Sequence, residues 1–307
     1  MKVLVTGVCG QLGHDVVNEL TKRGHEAIGS DITPVYSGAD DGTAVTRAPY
    51  VQLDITDADA VSRVLGETKP DAVVHCAAWT AVDAAEDNED RVRSINAGGT
   101  AHIAKACRAL GAKMMYISTD YVFDGQGETP WAPDCTDYAP LNVYGQTKLE
   151  GELAVRELVE RFFIVRIAWV FGLNGKNFIK TMLSLGQKHE CVRVVCDQIG
   201  TPTYTLDLAR LLVDMIETDR YGYYHATNEG GYISWADFAG EIFRQAGMPT
   251  KVVPVTTSAY GLSKAARPFN SRLDKRKLIE NGFEPLPTWQ DALSRYLREI
   301  GCTADKT

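Results

Sequence analysis

Short apolar runs alternate with amphipathic helical patterns over residues 1–170 of the chain. The runs are rich in Val and Ile and are bounded by Gly, Asp or Pro. They predict strands at residues 2–5, 26–30, 50–53, 72–76, 113–118 and 162–170, and the segments between them predict helices at 11–23, 57–66, 86–110 and 143–161. Because right-handed βαβ units place such strands parallel, the pattern predicts an α/β fold with a doubly wound parallel sheet.

The alternation of strand and helix patterns becomes less regular after residue 171. Ser234 and Thr288 are predicted to cap two of the helices that follow, and the full pattern gives helices at 177–188, 206–218, 234–246 and 288–300 with one strand at 222–227. Several prolines lie between the last two of these helices, where they interrupt regular structure. We predict a main domain of residues 1–170, to which 201–228 return, and a smaller α+β lobe of residues 171–200 and 229–307.

Composition excludes several classes of protein. The 307 residues are 45% hydrophobic and 23% charged, as in ordinary globular proteins. The formal net charge is −8 and no basic block is present, so no nucleic-acid partner is expected. No apolar run approaches the about 18 residues of a membrane span, no leader precedes the first strand, and the seven cysteines form no C-x-x-C pair. We expect a cytoplasmic protein with reduced thiols and no membrane association.

A glycine-rich turn follows the first strand directly. Residues 6–13 have the pattern G-x-x-G-x-x-G, formed by Gly7, Gly10, Gln11, Leu12 and Gly13 with their neighbours. Glycines there allow a tight turn and a close approach of the backbone to a pyrophosphate, and the helix N-terminus offers unpaired N–H groups to the anion. The turn predicts a Rossmann-type dinucleotide site, with an ordinary βα turn as the alternative.

Residues after the second and third strands bear on the choice of cofactor. Asp31 ends the second strand, where a carboxylate accepts hydrogen bonds from the adenosine ribose. A 2′-phosphate would meet that carboxylate, so the sequence favours NADH over NADPH, although Arg47 in the polar surface loop 32–49 is a candidate cation for NADPH. Asp54 and Ile55 follow the third strand, where the adenine edge is expected, and capping of the next helix by Asp54 is the alternative.

The fourth strand leads into small residues. Ala77, Ala78 and Thr80 predict a place where the cofactor lies against the backbone at the carboxyl ends of the strands, with packing alone as the alternative. Asn96, in the long helical pattern that follows, is compatible with a buried positioning role and equally with a polar surface role.

Hydroxyl groups and a lysine form the candidate catalytic set. Ser118 and Thr119 emerge at the end of the fifth strand, beside the expected nicotinamide. Tyr144 and Lys148 are four residues apart and share one helix face, so the ammonium is expected to lower the pKa of the phenol. The phenol would then protonate a carbonyl oxygen while Thr119 hydrogen-bonds the same atom. Taken alone, Tyr-x-x-x-Lys is more often an ordinary helix surface.

The order of these motifs resembles the extended short-chain dehydrogenase/reductase superfamily, whose catalytic positions match Thr119, Tyr144 and Lys148. Longer strings are similar to the dTDP-4-dehydrorhamnose reductase family over nearly the whole chain. They are TGxxGQLG at 6–13, PD at 70–71 with AAxTAVD at 77–83, STDYVFDG at 118–125, PLNVYG at 140–145, DQxGxPT at 197–203 and RPxNSxL at 267–273.

The resemblance implies a function. The main domain would bind NADH or NADPH, and the lobe would hold a dTDP-linked 4-keto-6-deoxyhexose, reduced to dTDP-L-rhamnose with a proton from Tyr144. It also implies a substrate site that contains Val82, Asp120, Tyr121 and Val122, with Trp169 near the hexose and Arg267 and Asn270 near the nucleotide. Core packing of Trp169 and a solvated ion pair of Arg267 are the alternatives.

The chain departs from the family pattern in two places. The loop 32–49 is longer than expected, and Ala168 stands where a small hydroxyl residue is frequent. Some members dimerise through Mg²⁺ held by glutamates, to which Glu190 and Glu299 correspond loosely. No metal is predicted, and the protein is expected to be a monomer or a homodimer.

Two other functions stay open. One is a related dTDP-4-keto-6-deoxyhexose reductase that gives a different deoxysugar. The other is a non-catalytic dinucleotide-binding regulatory subunit like that of methionine adenosyltransferase, against which the intact Thr119, Tyr144 and Lys148 argue.

Overall fold

The computed structural model describes residues 1–38, 48–261 and 263–303. The strands in these ranges are β1 Lys2–Thr6, β2 Glu26–Asp31, β3 Tyr50–Gln52, β4 Ala72–His75, β5 Lys113–Thr119, β6 Phe162–Ile167, β7 Val170–Phe171, β8 Cys191–Val195, β9 Ile199–Gly200, β10 Thr203–Tyr204, β11 Gly222–His225, β12 Ile233–Ser234 and β13 Lys251–Val255. The α-helices are α1 Gln11–Lys22, α2 Ala58–Thr68, α3 Val82–Ala85, α4 Glu89–Arg93, α5 Thr100–Leu110, α6 Val143–Leu158, α7 Phe178–Gly186, α8 Thr205–Ile216, α9 Trp235–Gln245, α10 Thr257–Tyr260, α11 Arg276–Glu280 and α12 Trp289–Glu299.

Seven parallel strands form the main sheet, in the order β11-β6-β5-β4-β1-β2-β3. The predicted doubly wound parallel sheet is therefore confirmed. From β1 the chain winds outward to β2 and β3, and it then returns to place β4 on the other side of β1. Such a switch opens a crevice at the carboxyl ends of the strands, where ligands of these folds bind.

Helices bury both faces of this sheet, which explains the continuous apolar strands. Val3 and Val5 pack with α1 and α8 on one face, whereas Leu4 packs with α2 and α5 on the other. Because side chains alternate along a strand, a run without polar positions fills both layers. A third cluster joins α7, α9 and α12 in the lobe beyond the sheet.

Side chains cap the N-termini of the helices α6, α9 and α12. Asn142 caps α6, with its Oδ1 accepting the Gly145 N–H at 2.8 Å. Ser234 and Thr288 cap α9 and α12, as predicted, and Ser234 forms a capping box with Asp237. The helix that carries Tyr144 therefore begins at a position fixed by the sequence.

One predicted strand is wrong in its continuity. The strand predicted at 162–170 breaks after Ile167, because Trp169 adopts φ +51°, which no regular strand tolerates. The helix predicted at 86–110 is continuous from Glu89 to Leu110, and a π-helical turn at Ser94–Gly99 joins α4 to α5 within it. Adjacent glycines in that turn favour a helix less strongly than other residues do.

The segment 32–49 falls partly outside the described residues, and Arg47 lies among those not described. In the described parts of the chain, no helix is both long and apolar enough to cross a membrane.

Candidate active site

The glycine loop lies between β1 and α1 and presses against the residues that follow β4. Gly7 has φ +75°, and a Cβ built on it would lie 2.7 Å from the Ala77 nitrogen. A Cβ on Gly13 would overlap the Gly7 carbonyl. Gly10 is the N-cap of α1 and supplies no side chain to the N–H groups of the first turn. The glycines thus let the loop pack closely on itself and on Ala77, and the N–H groups at the start of α1 suit a pyrophosphate.

Two residues of the loop present only their backbone to this expected pyrophosphate site. Leu12 is buried in the core. The Gln11 side chain turns to the lobe, where its Oε1 accepts a hydrogen bond from Asn177 at 3.1 Å. The predicted cofactor contacts of Gln11 and Leu12 would therefore be made through their N–H groups.

Asp31 ends β2 beside the glycine loop. Its Oδ2 accepts the Cys9 N–H at 2.9 Å and its Oδ1 accepts the Ile32 N–H at 2.8 Å. The carboxylate is thus oriented by two backbone donors and is half-exposed toward the crevice. Each oxygen keeps one lone-pair direction for a ribose hydroxyl.

Asp54 and Ile55 have different local roles. Asp54 accepts the N–H and the hydroxyl of Thr56, and Asp57, rather than Asp54, caps α2. The capping alternative for Asp54 is therefore wrong. Ile55 is buried, and a Cβ on Gly99 would lie 2.7 Å from its Cδ1, so its side chain fills the gap left by that glycine.

Asn96 fixes the segment that contains Ala77, Ala78 and Thr80. It is 1% exposed, so the polar surface alternative is wrong. Its Oδ1 accepts the Trp79 N–H at 2.8 Å, and its Nδ2 donates to the Trp79 carbonyl at 3.2 Å and to the Thr147 hydroxyl at 3.1 Å. The π-helical turn therefore ties the expected cofactor wall to α6.

His75 was not predicted as part of the site. The Thr100 hydroxyl donates to the Asn96 carbonyl, so it accepts from His75 Nε2 at 3.1 Å, and His75 Nδ1 accepts from the Thr6 hydroxyl at 2.7 Å. Thr6 in turn accepts the Ala77 N–H. Burial lowers the pKa of His75 to about 3, so it is a neutral link between the glycine loop and the π-helical turn.

Thr119, Tyr144 and Lys148 come together at the carboxyl edge of the sheet. Thr119 lies close enough to the Tyr144 hydroxyl to lower the pKa of the phenol, and its own hydroxyl donates to Asp120 at 3.0 Å. Lys148 Nζ donates to the Ile117 carbonyl at 2.7 Å and lies 4.1 Å from the centre of the Tyr116 ring. Ser118 is 2% exposed, and its hydroxyl has no hydrogen-bond partner within the described residues. An unpaired buried hydroxyl at this edge is a fitting partner for a ligand atom.

The electrostatics of this set differ from the prediction in one respect. Burial raises the pKa of Tyr144, and the neighbouring Asp120 and Tyr121 raise it further against the hydrogen bond from Thr119. The predicted lowering of the phenol pKa by Lys148 is therefore wrong, because burial also lowers the pKa of Lys148 itself, to about 7. A phenol with a raised pKa stays protonated at neutral pH, which is the form that donates a proton.

A short 3₁₀ turn at Asp120–Val122 forms the next part of the site. Asp120 is buried and accepts the Thr119 hydroxyl at 3.0 Å, and burial raises the pKa of its carboxyl to about 6. The Tyr121 ring meets the Tyr144 ring edge-on, with 5.5 Å between centres. Val122 is fully buried in the core, so its side chain supports the turn.

Arg267 reaches this turn from the lobe. Its Nη2 donates to Asp83 at 2.6 Å and its Nη1 to the Tyr121 hydroxyl at 3.3 Å. Val82 begins the short helix that carries Asp83. Arg267 is therefore part of an ion pair, as its alternative interpretation had it, with side chains that are 25% exposed for Arg267 and 45% exposed for Asp83.

Trp169 combines an unusual backbone with an aromatic stack. Its φ of +51° is rare for a bulky side chain, and its indole stacks on Trp235 with 3.7 Å between ring centres. A Cβ on Gly200 would lie 2.9 Å from the indole, so the glycine makes room for it. Trp235 was missed by the sequence reasoning, which identified α9 only as a helix.

Asn270, Glu190 and Glu299 differ in what surrounds their polar groups. Asn270 is 1% exposed; its Nδ2 donates to the carbonyls of Gln126 and Thr129, and its Oδ1 accepts from Arg272, so its side chain ties together segments of the protein itself. Glu299 accepts the Tyr204 hydroxyl at 2.6 Å, and Glu190 is exposed. Among residues 1–38, 48–261 and 263–303, no group of three or more His, Cys, Asp or Glu side chains is placed to hold a metal ion.

Known proteins resemble this chain over almost its whole length. Residues 1–302 match the family described as RmlD substrate binding domain. A dTDP-4-dehydrorhamnose reductase of Streptomyces griseus is 41% identical over 298 residues, covering 95% of this chain and 91% of the relative. A dTDP-4-keto-6-deoxy-D-glucose reductase of Streptomyces niveus is 36% identical over 294 residues, covering 95% of each.

A solved structure of similar sequence carries a cofactor. It is a dTDP-4-dehydrorhamnose reductase from Bacillus anthracis in complex with NADP, with a TM-score of 0.87 and 40% identity. The match covers 97% of this chain and 100% of that chain.

Proposed function

This chain belongs to the RmlD substrate-binding-domain family, and on that premise we propose that it is an NAD(P)H-dependent reductase that converts dTDP-4-dehydro-L-rhamnose to dTDP-L-rhamnose. The observation that carries the proposal is the meeting of Thr119, Tyr144 and Lys148 behind the glycine loop. When bound, the reduced nicotinamide supplies the hydride that the C4 carbonyl of the sugar accepts.

Tyr144 is the proton donor in this proposal. Its raised pKa keeps the phenol protonated at neutral pH, and a proton is what the developing C4 alkoxide needs. The Thr119 hydroxyl, which donates to Asp120 in this structure, turns its proton to the same oxygen when the sugar is bound and so stabilises the charge that forms there. Lys148, whose ammonium is held by the Ile117 carbonyl at 2.7 Å, would bind the cofactor ribose.

The remaining residues divide between cofactor and substrate. The loop residues Gly7, Gly10, Gln11, Leu12 and Gly13 bind the pyrophosphate, Asp31, Asp54 and Ile55 hold the adenosine, and Ala77, Ala78, Thr80 and Ser118 line the nicotinamide half. Asp120, Tyr121 and Trp169 face the hexose, with Val82, Val122 and Asn270 supporting them. Arg267 suits the diphosphate, because a guanidinium binds phosphate oxygens in a bidentate manner.

We further propose that NADH is preferred over NADPH. The Asp31 carboxylate is held in place by two N–H groups and would repel a 2′-phosphate. Residues 32–38, which follow it, include no Lys or Arg. The ratio of kcat/KM for the two cofactors tests this preference directly.

An assay at 340 nm tests the proposed function. Purified protein is mixed with NADH or NADPH and with dTDP-4-dehydro-L-rhamnose made in situ, and the product is identified by chromatography. Sugar-dependent cofactor oxidation that gives dTDP-L-rhamnose supports the proposal. Active upstream enzymes and bound cofactor without turnover would contradict it.

A second candidate is reduction of another dTDP-4-keto-6-deoxyhexose, since the Streptomyces niveus relative is named as a reductase of such a sugar. The same assay with dTDP-4-keto-6-deoxy-D-glucose separates the two. A protein that binds cofactor and reduces neither sugar would instead fit the regulatory-subunit alternative.

A further inference from the structure

A fully buried ion pair lies behind the helix that carries Tyr144 and Lys148. Arg166 of β6 donates from Nε and Nη2 to the two carboxylate oxygens of Glu152, at 2.9 and 2.8 Å, and both side chains are 0% exposed. Its Nη1 donates to the Pro133 carbonyl at 3.0 Å. Removing two charges from water is costly, so a buried pair of this kind is weak evidence of stabilisation and invites another explanation.

The position of Glu152 suggests that explanation. Tyr144, Lys148 and Glu152 follow one another at intervals of four residues on α6, so they form one stripe along the helix. Lys148 is 3% exposed, and its ammonium contacts a backbone carbonyl and the face of the Tyr116 ring. Both partners are uncharged, and they compensate a buried cation only in part.

The other titratable groups around Lys148 are neutral. They are His75 at the end of β4, Cys76 directly after it, Tyr116 from β5, and Tyr144 from α6 itself. Burial lowers the pKa of His75 to about 3, raises the pKa of Cys76 to about 12, and raises the pKa of Tyr116 and of Tyr144. Within the described residues, Glu152 is therefore the anion that acts on Lys148 at neutral pH.

We propose that Glu152 is a positioning residue for the reaction, whose carboxylate keeps Lys148 in its ammonium form while the two hydrogen bonds from Arg166 hold that carboxylate in place. The inference rests on the proposed function, because it concerns a residue of the same site. Burial pushes the pKa of Lys148 down to about 7, and Glu152 opposes that shift. Without the carboxylate, the lysine would lose its proton at a lower pH.

The test compares Glu152→Gln with a matched control on the same helix. Glu150→Gln makes the same charge change two residues away, but Glu150 faces outward and pairs with Arg93. NADH binding is measured by fluorescence from pH 6 to 10, and the pH profile of kcat/KM is measured alongside. Binding is expected to weaken as Lys148 loses its proton, with a midpoint about one pH unit or more lower in Glu152→Gln than in wild type.

Glu150→Gln should keep the wild-type midpoint. The inference would be overturned if folded Glu152→Gln had the same midpoint as wild type. It would also be overturned if NADH binding by the wild type did not change from pH 6 to 10. A uniform loss of affinity at every pH would do the same, since it would indicate a structural role only.

A second variant keeps the inference testable if Glu152→Gln alone does not fold. Glu152→Gln combined with Arg166→Met removes both charges, a change that buried pairs often tolerate. The lowered midpoint should persist in the double variant, and a wild-type midpoint there would refute the role of Glu152. Wild-type protein that binds no NADH at any pH would refute the proposed function and this inference with it, whereas binding without sugar reduction leaves the Glu152 test valid.

Discussion

Replacing Gly7 by Ala tests two reasons for a glycine at this position of the cofactor loop, its positive φ and its close contact with Ala77. Gly7 has φ +75°, which costs a residue with a Cβ about 1–2 kcal/mol. The added Cβ would also lie 2.7 Å from the Ala77 nitrogen and 2.8 Å from its Cα, closer than the 3.0 Å below which something must shift. Forcing backbone apart in this way costs a further ~1–3 kcal/mol.

Gly24→Ala is the matched control. Gly24 has φ +80°, and a Cβ built on it meets nothing within 4 Å. Only the conformational cost of about 1–2 kcal/mol should appear there, and NADH binding should not change. The difference between the two variants therefore isolates the contact with Ala77.

Two measurements check this reasoning. Thermal or urea unfolding should show Gly7→Ala destabilised by more than Gly24→Ala. NADH titration should show an affinity loss of about 10- to 100-fold for Gly7→Ala alone, the effect of losing one hydrogen bond to a charged phosphate when the added Cβ displaces the loop and the N–H groups at the start of α1. Equal stability and unchanged NADH affinity in the two variants would refute the assignment of the glycine loop as the pyrophosphate site.

Three further changes give distinct expectations. Tyr144→Phe should lower kcat by about 10²–10⁴-fold while NADH affinity stays near wild type, and a variant with wild-type turnover would remove Tyr144 as the proton donor. Asp31→Ala should reduce the ratio of kcat/KM for NADH to kcat/KM for NADPH. An unchanged ratio would mean that the carboxylate does not contact the adenosine ribose. Arg166→Met should cost about 3–5 kcal/mol in unfolding free energy because it leaves Glu152 buried without a partner. The same change at Arg93, which is 39% exposed, should cost less than about 1 kcal/mol, and equal losses at the two sites would contradict that account.

The sequence by itself determined the architecture and the candidate chemistry. Periodicity predicted the parallel sheet, because strands buried on both faces must be apolar throughout. Ser234 and Thr288 were readable as caps, since a cap depends on a hydroxyl and its nearest N–H groups. Parallel strands bring their carboxyl ends to one edge, so the chain order of the glycine loop, Thr119 and Tyr144 predicted one shared site there, and the resemblance of these motifs to a known family implied a reductase.

Tertiary structure alone decided the electrostatics and the long-range partners. The pKa of Tyr144 is raised rather than lowered because distant segments bury it, and no local pattern reports burial by such segments. An Arg in the apolar strand 162–167 was a visible signal, but its partner Glu152 lies on another element. The partner of Trp169 is likewise distant, because its indole stacks on Trp235, which is far away in the chain and adjacent only after folding. Local patterns encode local geometry, whereas burial and pairing arise only when remote parts of the chain pack together.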